Sequence, residues 1–296
     1  MLNRKDVYIR DPFIVPIEEE KKYYMFGTTD KNCWGDEKAT GFDYYITRDL
    51  ETFEGPYAAF RPEKNFWADR NFWAPEVHYY KGKYYMFATF YSEKRNRGTQ
   101  ILVSEKVSGP YVPHSDGPIT PPDWMCLDGT LYVDEKSNPW MIFCHEWVQI
   151  YDGEICAIQL SDDLKYPVGS PVLLFKASEA PWAKSMRIVD GNPCFVTDGP
   201  FIYKTKNNKL LMLWSSFNEN RSYTIGIAYS TSGNIFGPWK HIHKPLYSND
   251  GGHGMLFKAF DGTLMLSIHS PNSKGNERPL FIKIDEKELE NIDISI

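Results

Sequence analysis

Residues 11–30 read DPFIVPIEEEKKYYMFGTTD, and residues 74–93 read APEVHYYKGKYYMFATFYSE. Each stretch is an apolar strand, a charged turn and a second apolar strand ending in Ser, Thr or a charged group. The pattern returns as DGTLYVDEKSNPWMIFCHEW from Asp128, DGPFIYKTKNNKLLMLWSSF from Asp198 and GHGMLFKAFDGTLMLSIHS from Gly252. Turn formers or charges divide every pair (EEEKK, KGK, DEKSN, KTKNNK, AFDG), which marks a hairpin. The copies start 63, 54, 70 and 54 residues apart, so one unit is repeated five times. A third strand-like run follows the hairpins, as in YYITRD from Tyr44, TQILVSEK from Thr99, EICAIQLSDD from Glu154 and TIGIAYSTS from Thr224. A less regular fourth often carries Gly-Pro: EGPYAAF, SGPYVPH, FGPWKHI. No long segment has apolar residues at helical spacing.

Four short antiparallel strands, five times over, predict an all-β fold, a five-bladed β-propeller of four-stranded antiparallel blades. The physical reason is burial. A four-stranded sheet has two apolar faces, and radial packing covers both while leaving only short edges. A two-sheet sandwich does not predict this period. No linker or change of composition interrupts the chain, so residues 1–296 are expected to form a single domain.

Composition narrows the function. Thirty-three Lys and Arg against 39 Asp and Glu leave a net charge of −6, which argues against a nucleic-acid binder working through a basic surface. A 42% hydrophobic, 24% charged chain is an ordinary globular one. No apolar run reaches the length of a membrane span. The opening MLNRKDVYIRDP has no apolar leader, so the expectation is a cytoplasmic protein, or a secreted or periplasmic one whose leader has been removed. Five Cys (33, 126, 144, 156, 194) form no CxxC pair and have no His at zinc spacing, which speaks against a disulfide scaffold or structural zinc. Nine Trp, 19 Tyr and 18 Phe can fill a β core or line a sugar-binding cleft.

Propeller geometry locates the site. The innermost strand of each blade opens at the central channel, and the antiparallel second strand returns to the same face. Residues opening the first strands (Asp11, Trp73, Asp128, Asp198, His253) and ending the second (Thr28, Phe90, Tyr91, His145, Glu146, Trp147, Ser215, Ser216, His269) are therefore expected around one mouth. Asp before Gly or Pro is a common turn pair, so any one of these acids is read first as a turn residue. Three of them opening successive inner strands call for more than turn chemistry. Converging carboxylates suit glycoside hydrolysis, in which one acid protonates the leaving oxygen and another activates water or attacks the sugar. A third acid raises the donor's pKa by like-charge repulsion.

The segments IRDPFIV, FWAPEV followed by KGKYYMF, LDGTLYVDE, TDGPFIYKT and GGHGMLF resemble glycoside hydrolase family 43 over all five repeats. The resemblance implies an inverting glycosidase on a five-bladed propeller, acting on an oligosaccharide or polysaccharide, with no nucleic-acid or membrane partner. It implies Asp11 as the general base and Asp128 as the acid that tunes and orients the proton donor. The family's donor is a Glu in an EGP opening, and here position 198 is Asp. Two donors stay open: Asp198 itself, and Glu146, which ends the second strand of the third blade and is otherwise a rim residue pairing with Arg. His253 would face a metal ion, usually calcium, completed largely by water. The alternative is a neutral His bonded to an axial water, and no cofactor is required. Phe72, Trp73, His145, Trp147, Ser216 and Trp34 are the candidate substrate contacts, with Trp67 a further ring at the rim. Arg95, Arg97 and Arg221 sit on loops of the same face.

Three other readings fit parts of the pattern. A retaining fructoside-cleaving propeller has its RDP triplet in a later blade. A propeller phosphorylase needs a basic cluster for phosphate. A carbohydrate-binding propeller that has lost hydrolysis is kept open by Asp198. The insertion at residues 175–196, FKASEAPWAKSMRIVDGNPCFV, is expected to wall the pocket, which favours exo action. An α-L-arabinofuranosidase is the first expectation, and a β-xylosidase the alternative.

Overall fold

The computed structural model describes residues 1–30, 33–35 and 37–292. Its strands form five antiparallel blades, as the repeat predicts. The first pairs Arg10–Ile17, Lys22–Thr28, Phe42–Thr47 and Thr52–Phe60, with the short strand Leu2–Asn3 added at its outer edge. The second pairs Arg70–Tyr80, Lys83–Ser92, Arg95–Ser104 and Val112–Pro113. The third comprises Cys126–Val133, Pro139–His145, Glu154–Leu160 and Pro167–Lys176, and the fourth Asp198–Lys204, Leu210–Phe217, Tyr223–Ser230 and Trp239–His241. The fifth has three strands among the described residues, Gly252–Lys258, Leu264–Ser270 and Arg278–Lys283. The N-terminal segment runs beside its outer strand. Arg278 Nε donates to the Lys5 carbonyl at 2.6 Å, and the Ile9 N–H reaches the Glu277 carbonyl at 3.4 Å. Each inner strand touches the next, and the first touches the fifth, so the ring is closed.

The core lies between blades. Side chains alternate across a strand, so one strand feeds two interfaces. Tyr24 and Phe26 pack toward the second blade with Phe72 and Phe90, whereas Tyr23 and Met25 pack toward the fifth with Met255 and Phe257. Leu210, Met212 and Trp214 face the third blade, while Leu211 and Leu213 face the fifth. Five apolar clusters fill the five interfaces. Most of the aromatic content is spent there, which is why the strands read as apolar on both faces. All five cysteines are free and buried. No helix among the described residues is long and apolar enough to cross a membrane.

The insertion is anchored rather than loose. Trp182 is buried in the third–fourth interface and lies flat against Gly226, where a Cβ would come within 2.3 Å of the indole. Beyond it, Arg187–Val189 and Asn192–Cys194 form a small hairpin.

Candidate active site

Every inner strand opens with a bulge. Pairing with the second strand breaks after Arg10, Trp73, Leu127, Asp198 and Gly252. The next residue is left-handed in each blade: Asp11 at φ 55°, Ala74 at 45°, Asp128 at 56°, Gly199 at 52° and His253 at 48°. A non-glycine residue there costs on the order of 1–3 kcal/mol, and such strain gathers where a side chain must be re-aimed. The bulge turns Asp11, Asp128 and His253 into the channel. Asp198 departs from this register, because it precedes the left-handed residue where Asp11 and Asp128 occupy it. The three acids are therefore not at equivalent positions, as the repeats suggested. Gly199 fills the left-handed slot in the fourth blade. A Cβ there would lie 2.6 Å from His253 Cδ2, so the imidazole packs directly on its backbone.

These residues share a cavity of about 340 Å³. Asp11, Asp128, Asp198 and His253 lie in it together with Arg10, Tyr223 and Trp73. Trp34, Arg97, Glu146 and Trp147 complete its wall. Thr28 Oγ1 donates to Asp11 Oδ2 at 2.7 Å. His253 Nδ1 stands 3.3 Å from Asp11 Oδ1 and 3.5 Å from Asp128 Oδ2, between the two carboxylates. The Gly199 N–H donates to Asp128 Oδ2 at 3.0 Å, and Tyr223 Oη donates to Asp198 Oδ2 at 2.9 Å.

Environment splits the acids. Burial pushes Asp11 upward, but His253 and Arg10 outweigh it and hold its carboxyl below the usual range. Burial, then the charge of Asp11, pushes Asp128 well up against the Gly199 N–H. Burial and the neighbouring Asp128 raise Asp198 to about 7, opposed by His253 and the Tyr223 hydroxyl. Asp11 is thus kept ionised, while Asp128 and Asp198 both hold protons more tightly than ordinary carboxyls, Asp198 up to about pH 7, the kind of division a general base and a general acid need. His269 supports the first. Its Nδ1 accepts the Asp11 N–H at 3.2 Å, and Nε2 faces Asn272 Oδ1 at 3.3 Å, which assigns the proton to Nε2. Burial and Arg10 lower its pKa, so it stays neutral.

Glu146 is placed differently from Asp198. It is buried in an ion pair with Arg97, whose guanidinium lies 4.4 Å over the Trp73 ring and 5.6 Å over Tyr91. Burial raises its pKa and Arg97 opposes the rise. Trp73 donates its Nε1–H to the Cys33 carbonyl, and Trp34 rests against it with centroids 4.9 Å apart. Trp147, on the single turn Trp147–Ile150, meets the Arg187 guanidinium of the insertion hairpin at 4.4 Å, so the insertion reaches the cavity rim.

Three of the six candidate substrate contacts lie off this cavity. Phe72 is packed among Phe42, Phe60 and Phe90 in the first–second interface. His145 is stacked on Trp124 at 4.1 Å and bonded to Gln149 and Glu154. Ser216 is fully buried. Their strand positions match the ring of the mouth, but alternation turns their side chains into the blades. Trp67 lines a separate cleft and donates to Gln100 at 2.6 Å. Sequence reasoning did not single out Arg10 or Tyr223. Arg10 is buried against Glu277 at 2.7 Å and Asn272 at 2.9 Å, contacts more than 260 residues apart. Tyr223 starts a third strand, and the rule that inspects first and second strands passes it by.

The donor set does not fit a calcium ion held by protein ligands. Calcium takes six to eight oxygens, and among the described residues no three His, Cys, Asp or Glu side chains are grouped to hold a metal. His253 turns Nδ1 to the two carboxylates. The chemistry below passes through protein groups alone.

The profile of Glycosyl hydrolases family 43 matches residues 6–284. An endo-arabinase from Bacteroides thetaiotaomicron VPI-5482 is 43% identical, with a TM-score of 0.89 over 96% of this chain and 97% of that one. An endo-1,4-beta-xylanase from the same organism is 25% identical, with a TM-score of 0.71 over 96% and 92%. An alpha-L-arabinofuranosidase from Lactobacillus brevis, 18% identical, shares the fold with a TM-score of 0.73 over 94% and 90%. No protein of curated function matches by sequence. With the five blades and the converging carboxylates, the match over nearly all of the sequence places this chain in glycoside hydrolase family 43, and it is a glycosidase.

Proposed function

We propose that the protein hydrolyses α-L-arabinofuranosyl linkages with inversion, releasing single arabinose units from chain ends. The observation that carries the chemistry is the division of the acids, with Asp11 held ionised and Asp198 raised to about 7 in one cavity. Asp11 takes a proton from a water that attacks the anomeric carbon. Asp198 gives its proton to the glycosidic oxygen as the bond to the leaving chain breaks. The reaction leaves Asp11 protonated and Asp198 ionised, and exchange with solvent restores both. Asp128 and Asp198 share a buried site that does not hold two negative charges, which keeps a proton at hand for the donor. Trp73 offers an indole face for the CH-rich side of the sugar. Glu146 serves the wall by anchoring Arg97, which makes Asp198 the better donor although it is shorter than the family's Glu.

Arabinose is favoured because the 43%-identical structure is described as an endo-arabinase. Release from chain ends is favoured by the insertion hairpin, which closes against Trp147 through Arg187. Cleavage within the chain is the second reading, favoured by the same relative. Product analysis on linear arabinan, branched arabinan and xylo-oligosaccharides separates these readings. Arabinose alone from the start of the reaction supports release from ends, arabino-oligosaccharides support internal cleavage, and xylose would refute the substrate. Proton NMR of the first product should show the β-anomer, and an α-anomer would refute inversion.

A further inference from the structure

We propose that Cys144 is a positioning residue of the active site: it withholds a strong hydrogen-bond acceptor from the Gly199 N–H and so leaves that N–H to fix the Asp128 carboxylate. This rests on the roles of Asp128 and Asp198 given above. The five blade interfaces follow one pattern with a single departure. The left-handed residue of each inner strand points its N–H at the preceding blade. Ala74 donates to Thr28 Oγ1 at 2.8 Å, Asp128 to Thr89 Oγ1 at 2.9 Å, His253 to Ser215 Oγ at 2.8 Å, and Asp11 to His269 Nδ1 at 3.2 Å.

The four acceptors share one register. Thr28 pairs with Arg10, Thr89 with Trp73, Ser215 with Asp198 and His269 with Gly252, in each case the residue just before the left-handed one. The remaining member of the set is Cys144, paired with Leu127. At that interface the Gly199 N–H goes to Asp128 Oδ2 instead.

The cause is chemical. A thiol sulfur is a weak acceptor, and a buried backbone N–H must find a partner. With sulfur at position 144, the strongest acceptor in reach is the Asp128 carboxylate. Cys144 is fully buried, bonds the Thr197 side chain and feels the charges of both Asp128 and Asp198, which places it at this junction. The donor of the resulting bond sits on a backbone pinned by the His253 ring. Asp128 is therefore aimed by an N–H that has no rotor, at the one interface where the usual acceptor is missing. An oxygen at position 144 would recapture that N–H and release Asp128.

The test compares Cys144→Ser with Cys144→Ala, which both lose sulfur and differ by a hydroxyl. Melting curves first establish that both fold. On an arabino-oligosaccharide, kcat of the Ser variant is expected about tenfold below that of the Ala variant, with KM equal within about twofold, since misplacing a group by about 1 Å costs up to 10² in rate. A crystal structure of the Ser variant should show the Gly199 N–H on the introduced hydroxyl. Equal kcat values, or an N–H that remains on Asp128, overturn the proposal. If the wild-type protein turns over no arabinosyl substrate, the functional reading has failed, and the destination of the Gly199 N–H in the crystal decides the structural proposal by itself.

Discussion

Replacing Tyr223 by Phe tests the proton donor most directly. The Tyr223 hydroxyl donates to Asp198 Oδ2 at 2.9 Å inside the cavity and touches no other acid by hydrogen bonding among the described residues. A hydrogen bond to a charged group contributes about 1.5–3 kcal/mol, and one pKa unit corresponds to about 1.36 kcal/mol. Removing a donor that favours the carboxylate should therefore lift Asp198 from about 7 by about one to two units. The sign follows from the role. An inverting donor must be protonated, so the wild-type rate should fall as pH rises through about 7. In Tyr223→Phe that basic limb should move upward, while Asp11, held far below the usual carboxylate range, stays ionised throughout the assay. The maximum rate should drop as well, because a weaker acid protonates the leaving oxygen less readily, and an unactivated arabino-oligosaccharide should suffer more than an aryl arabinoside. The assay is kcat/KM against pH on both substrates. A basic limb unmoved within about 0.3 units would refute Asp198 as the titrating donor, given the size of the expected shift.

Asp11→Asn should lose about 10²–10⁴ in kcat while still binding arabino-oligosaccharide, read by turnover and calorimetry together. Asp198→Asn should fall by a similar factor, whereas Glu146→Gln should act mainly on KM, because its carboxylate holds Arg97 against Trp73; the reverse ranking would move the donor to Glu146. Gly199→Ala should abolish activity without unfolding the propeller, since the new Cβ meets the His253 ring at 2.6 Å in a left-handed conformation. Circular dichroism and turnover read that outcome. Glu277→Gln leaves the buried Arg10 with a neutral partner, and urea unfolding should report a loss approaching the roughly 3–5 kcal/mol of a broken buried pair.

Much of the architecture was legible because its causes are local. Two-residue alternation, charged turns and a period of 54 to 70 residues follow from how a strand pair buries two faces, and they survive in the linear order. Asp11, Asp128 and His253 were visible for the same reason, each opening a repeat. What the repeat could not carry is which slot of the bulge a residue takes. Asp198 reads like Asp128 in sequence, but it precedes the left-handed position that Gly199 fills. Phe72 and Ser216 sit at the right height and face the wrong way, because orientation is set by strand register rather than by distance from a turn.

By itself the sequence determined the five blades, the face that bears chemistry and three of the acids on it. The environments that set those acids apart come from the tertiary structure. Asp11 is held ionised chiefly by His253, 242 positions away, Asp198 gains Tyr223 from a third strand, and Glu146 is committed to Arg97 of another blade. These contacts exist because radial packing brings distant strands to one axis, and no local pattern encodes which side chains meet there.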